Sequence, residues 1–506
     1  MASTNAKDMM FNMTGVDDLI RLLTRLKSDP DGFQRDWDNV PKPFVQRDRN
    51  THSPFIPQSE LLRSLDECKL CMIALEEVGK HVGKRIRFLR RIVTPFLVEN
   101  GIKTMPDDVL SLVFEAGHRM TYGWEFGEAV SQTSKRFRQV SLRTPLLWTR
   151  ISGGYSESQI QAFLSRSGQM DLEISTSLPY GLPNAALDVF FESLQGSSDR
   201  WSHLDLFENG ADVSMGKLGL CHFPRLKSLS CRCLIDLRLW KAPLLTQILG
   251  NYANSPTITG LELQLTSFEL SIEDVSLDVD GLASTLHSMP NLRHLSLELD
   301  CCEGILYDAI PGGLDARDPH SVHIETLRIS IQGSTTRDVV AELYDALSYL
   351  SASTVEITLS RLTSDNPSAF FYDTSHAFFP YGSTISVVIV DTGNEDSWDE
   401  FYVLTEIVQN CKIVHTIHID NLDAALVPPY SYSYNWKDYS NLQHLKVAYC
   451  TGVTASDLED LVSNLMTAEA GYSFQSLEII ACRRISEGFF LNLCDEFGSR
   501  INLKWK

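Results

Sequence analysis

The chain has 506 residues, 43% of them hydrophobic, and a formal net charge of −21, which suits two or more domains or one long repeat array. No apolar run approaches the ~20 residues that span a bilayer, and the first residues lack the basic-then-apolar order of a signal peptide, so the expectation is no membrane contact and a cytoplasmic and/or nuclear protein. Residues 1–150 hold 23 basic and 19 acidic residues and residues 151–506 hold 21 and 46; so acidic a body argues against nucleic acid and suits a basic protein partner, or simply keeps a large surface soluble.

Residues 1–57 read as a flexible segment with one short amphipathic helix at 16–27, followed by five prolines and many polar residues. Residues 58–100 read as a long helix. Leu61, Leu65, Cys68, Met72, Leu75, Gly79, Val82, Ile86 and Leu89 follow alternating steps of four and three, a heptad seam. It suits a coiled-coil contact or packing within the chain. The end of this helix is basic, with Lys80, Lys84, Arg85, Arg87, Arg90 and Arg91, which fits an import or anionic-surface patch, or a solvated face.

Residues 101–150 read as about three short helices. Met105-Pro106 with Asp107 and Asp108 marks a helix start, and Val109, Leu110, Val113 and Phe114 are expected on one apolar face. A loop at 121–127 precedes a second amphipathic helix with Val130, Phe137 and Val140 apolar. Thr144-Pro145 breaks that pattern and Leu147-Trp148 closes it. The order Met-Pro, hydrophobic helix, Ser-Lys-Arg-Phe-Arg helix, Thr-Pro-Leu-Leu-Trp resembles an F-box of the kind common in large fungal families. This chain has Met105 where that motif usually has Leu, Asp108 for Glu, Ser134 for Cys and Phe137 for Trp. Met105, Pro106, Val109, Leu110, Phe114, Phe137 and Trp148 map onto the motif. The resemblance implies that some of them line the interface with a Skp adaptor and that the others hold the helices together.

Residues 151–506 read as strands alternating with helices. Strand-like pieces begin near Met170, Trp201, Pro224, Thr257, Pro290, Ile324, Thr354, Thr384, Ile413, Asn441 and Phe474, mostly about thirty residues apart. Helical patterns are expected at 338–350, 400–411, 457–466 and 488–497. Pro-Asn-Leu-Arg-His-Leu-Ser-Leu and Asn-Leu-Gln-His-Leu-Lys-Val are similar to the first half of a leucine-rich repeat. The fold class expected is therefore α/β: a helical F-box module followed by an irregular leucine-rich-repeat-like α/β solenoid, a horseshoe whose strand-helix units bury their apolar faces by stacking.

The sequence carries no motif for catalysis or metal binding. Cys68-x-x-Cys71 has no second pair at zinc spacing, and Cys231, Cys233, Cys301 and Cys302 do not supply one. Eleven scattered cysteines fit reduced thiols. No phosphate loop, nucleophile elbow or zinc-protease motif occurs, and Glu273, Asp274, Asp278 and Asp280 lack the closing Glu of a calcium loop. His294, His415, His418 and His444 sit in strands and read as sheet residues. No catalytic residues, metal or cofactor are expected. The two resemblances together imply a non-catalytic recognition subunit of a Skp–cullin–F-box ubiquitin ligase, bound to the Skp adaptor, through it to cullin, and to an unidentified target protein. The alternative is an F-box and leucine-rich scaffold that recruits no ligase. An enzyme on a leucine-rich frame is the third possibility, and no nucleophile, base or metal set supports it.

Overall fold

The computed structural model describes residues 79–80, 82–93 and 101–505, apart from 122, 124, 179–184, 209, 233–236, 252–259, 305–317, 364–366, 391–401, 421–425, 427–435, 468–472 and 499, together with positions 24, 69 and 72. It divides into two units, 1–110 and 111–506. In the first, residues 82–93 are helical, and Val82, Ile86 and Leu89 of the heptad register are exposed. The expected flexible segment, the Cys68–Cys71 pair and most of the earlier heptad positions lie outside the described residues.

α1 (Asp107–Met120) has Asp107 and Asp108 in its first turn and His118 and Arg119 in its last, as the helix dipole favours. α2 (Phe126–Thr133) and α3 (Lys135–Ser141) follow, and a 3-10 turn, Pro145–Trp148, leads into β1 (Arg150–Ser152). The sequence suggested one helix where α2 and α3 lie. The chain breaks at Ser134, which is extended at φ −157° and ψ 164° and accepts a hydrogen bond from the Phe137 amide through its hydroxyl. A serine that can cap the next helix competes with continuing the previous one.

Helices and strands then alternate until four strands follow one another: α4 (Glu157–Ser167), β2 (Leu172–Ser175), α5 (Ala185–Leu194), β3 (Trp201–Leu206), α6 (Ala211–Lys217), β4 (Ser228–Cys231), β5 (Gln247–Asn251), β6 (Ser267–Glu273), β7 (Ser276–Leu277) and α7 (Val279–His287). The rest are β8 (His294–Asp300), β9 (Glu303–Gly304), β10 (Val322–Gln332), α8 (Arg337–Leu347), β11 (Leu350–Ser360), β12 (Gly382–Val390), α9 (Val403–Asn410), β13 (Thr416–Asp420), β14 (His444–Ala448), α10 (Ala455–Thr467), β15 (Ser476–Ile480), α11 (Glu487–Phe497) and β16 (Asn502–Trp505). β7 pairs with β9; the other fourteen strands form one sheet in chain order, every neighbouring pair parallel. The second unit is thus a mixed α/β, solenoid-like array.

One row of registered residues explains the packing. Ile151, Ile174, Leu204, Leu229, Ile248, Phe268, Leu295, Leu327, Val355, Ile385, Ile417, Leu445 and Leu477 are partners from strand to strand, and each is at most 3% exposed. The row before it runs Arg150, Glu173, His203, Ser228, Gln247, Ser267, His294, Thr326, Thr354, Thr384, Thr416, His444 and Ser476. Apolar residues thus meet on one face and polar ones on the other, as the two-residue period of a strand requires.

The strand expected from Thr257 does not form over the described part of that piece: Gly260 takes φ +93° and residues 260–264 form a turn. β5 and β6 lie on either side of it, because the repeat shortens here from about thirty residues to 19 between Ser228 and Gln247 and 20 between Gln247 and Ser267. β1 and β16, one at each end of the sheet order, were not anticipated either. The eight described cysteines outside the first unit are free thiols. Cys450 and Cys482, at matching points of neighbouring repeats, donate to the carbonyls of Ala448 and Ile480.

Candidate functional site: the helical module before the sheet

α1 has more apolar residues than one face can bury. Leu110, Phe114 and His118, four residues apart, are buried at 2%, 4% and 1% exposure. Phe114 meets Phe137 of α3 edge-on with ring centroids 5.0 Å apart. Val109 and Val113, expected beside Leu110 and Phe114, instead face solvent. With Leu112, Ala116 and Met120 they form an exposed stripe at helical spacing. Leu112 is 63% and Met120 82% exposed. A chain of such apolar side chains left in water marks an interaction surface more often than a stray exposed leucine does.

The residues of the F-box resemblance therefore separate by burial. Leu110, Phe114 and Trp148 are buried, Met105 and Phe137 are half-buried, and Pro106 and Val109 are exposed. Trp148 is fixed by its indole N–H, which donates to the Ser141 carbonyl at 2.8 Å, and by an edge-to-face contact with Phe163 of α4 at 5.0 Å. Gly127 permits close packing of α2 on the 3-10 turn: a Cβ there would lie 2.5 Å from the Leu147 carbonyl oxygen.

Arg150 is a structural residue that the sequence reading did not single out. Its side chain donates from Nη1 to the carbonyl of His118 at 2.9 Å and to that of Thr121, and pairs through Nε with Glu173 of β2 at 2.7 Å. It neutralises the carbonyl end of α1 and fastens it to the first strands. Arg150→Met is expected to lower the stability of the helical module by about 2 kcal/mol, the cost of stranding part-buried acceptors and the Glu173 carboxylate. Hydrogen exchange of α1 amides would show it; unchanged protection would refute the role.

His118 sits beside this lock with no hydrogen-bond partner for either ring nitrogen among the described residues. Burial, reinforced by the Arg150 guanidinium, lowers its pKa from 6.5 to about 4. The unfolded chain therefore binds a proton that the folded chain refuses. The stability His118 permits is complete well above pH 6.5, falls as pH drops from 6.5 to about 4, and falls no further below that; the loss is on the order of 3 kcal/mol. The melting temperature of His118→Leu is expected to drop less between pH 6.5 and 4.5 than that of the wild type. Equal drops would overturn the assignment.

The polar face of the sheet is a second surface. Glu269, Glu273 and Glu298 line a shallow cavity of about 230 Å³ with Arg232, Ser271 and Ser296. Three of the four histidines expected in strands are hydrogen-bonded: His294 to Thr326 and His444 to Ser476 at 3.3 and 2.8 Å, and His415, just before β13, to Thr416 at 3.0 Å. Burial, with Lys446 beside it, lowers the pKa of His418. No group of three or more potential metal ligands occurs among the described residues, and none of their helices is long and apolar enough to cross a membrane. No family model and no curated protein matches this chain.

Proposed function

We propose that the chain is a non-catalytic substrate-recognition subunit of a Skp–cullin–F-box ubiquitin ligase. In this reading the helical module docks the Skp adaptor, and the polar face of the sheet holds a target protein, a basic one suiting its glutamates. The observation that carries the reading is the exposed stripe of α1, on the helix whose sequence resembles the first F-box helix. Val109, Leu112, Val113, Ala116 and Met120 offer the adaptor an apolar helix face, the helix-in-groove mode of recognition. Leu110, Phe114 and Trp148 then hold the module together rather than touch the adaptor. Such a subunit acts by proximity, holding target lysines near a ubiquitin-loaded enzyme and so raising their effective concentration.

The test is capture of the purified chain by a Skp adaptor, followed by reconstitution with cullin. Capture with transfer of ubiquitin to a bound target supports the reading. Capture without cullin recruitment would leave a scaffold, and absence of capture by a folded chain would remove the ligase altogether.

A further inference from the structure

Apart from the stripe on α1, the helical module has a basic trough. Residues 126–168 contain six basic and two acidic residues, a net +4 in a chain of −21. Two of the cations converge on one place. α2, α3, the 3-10 turn and α4 enclose a trough of about 520 Å³ with Arg138 and Arg166 on its walls. The Arg166 guanidinium lies over the Trp148 ring at 4.5 Å, a stacking that holds its fork of donors in one plane. Arg138 is tethered through Nε to the Ser131 carbonyl at 3.1 Å, which leaves its terminal nitrogens for another acceptor. Neither arginine is ion-paired among the described residues, although carboxylates are the commonest charged groups of this chain. The one acid of the lining, Glu128, accepts from Gln159 at 3.4 Å. Ser131, Gln132 and Ser158 complete the polar lining, the Ser131 hydroxyl donating to the Glu128 carbonyl at 2.7 Å, and Leu142, 40% exposed, adds an apolar patch.

We propose that this trough binds an acidic segment of a partner protein, two carboxylates engaging Arg138 and Arg166 while a neighbouring apolar side chain covers Leu142. Planar guanidinium forks match carboxylates in a bidentate manner, and the volume suits two or three residues of an extended peptide. The acidic body of the chain disfavours anionic partners elsewhere, so an acidic segment is directed to this place. The proposal does not depend on the ligase reading and uses none of the stripe residues of α1.

The test is binding of the labelled full chain to an array of synthetic twelve-residue peptides that vary the placement of Glu, Leu, phosphoserine and Lys. The expected result is selection of peptides with two glutamates flanking a leucine, weakened at least tenfold by Arg138→Gln with Arg166→Gln, and weakened again by added salt. Ser158→Glu, a change at an exposed position near the start of α4 where a carboxylate suits the helix dipole, keeps the fold and places an anion in the trough. It is expected to weaken binding too. No selection of acidic peptides, or selection that both variants retain, would overturn the proposal. Selection of phosphoserine peptides alone would overturn it in favour of a modified ligand.

Discussion

Leu112→Asp combined with Val113→Asp is expected to reduce capture of the chain by a Skp adaptor at least about 100-fold. Both side chains are more than half exposed, so the substitutions remove little internal packing. Each would place a carboxylate in a desolvated interface and forfeit the apolar burial of the residue it replaces. At ~2 kcal/mol or more per position, the pair exceeds the 2.7 kcal/mol that corresponds to a factor of 100. Leu110→Asp is not an equivalent probe. Leu110 is 2% exposed, so its replacement would disturb the fold and say nothing about docking. Binding by the double variant equal to that of the wild type would end the assignment of this face.

Trp148→Ala is expected to cost about 3–5 kcal/mol, the usual loss for deleting a buried aromatic side chain. The side chain is 1% exposed and joins three things: the Ser141 carbonyl at the end of α3, the Phe163 ring on α4, and the Arg166 guanidinium. The loss should be local, because in a stacked array each unit leans on its neighbours rather than on a single shared core. Hydrogen exchange would report it as lost protection over α2, α3 and α4 with the strands from β8 to β15 unchanged. Uniform loss of protection along the whole sheet would contradict a nearest-neighbour array.

Strands with a strict two-residue alternation were legible in the sequence. The pieces near Pro290, Ile324, Thr354 and Thr384 became β8, β10, β11 and β12 because apolar residues there can face only one side. β5 is hard to read in the sequence because the spacing around it shortens to 19 and 20 residues, out of step with the roughly thirty-residue period elsewhere. α1 shows a different limit. Val109, Leu110, Leu112, Val113, Phe114 and Ala116 surround most of the helix, so periodicity could announce a helix but not choose its buried side. The inward face also carries His118, which polarity alone would have turned outward. Arg150 left no signal because its partners at the end of α1 are backbone carbonyls, which any sequence supplies. The trough was illegible for a similar reason: Arg138 and Arg166 are 28 positions apart in the chain, and only the packing of α3 near α4 brings them together.

The order of the sheet bears on how the protein is made. Parallel sheets ordinarily form slowly, because their strands must find partners far along the chain. Here each strand of the large sheet pairs only with those just before and after it in that sheet, and the registered residues are 19 to 32 positions apart. A nascent chain emerging from the ribosome could therefore add one rung at a time, each newly synthesised strand finding its template already in place. The exposed edge would advance with synthesis, and a stalled ribosome would leave a shorter array rather than a tangle.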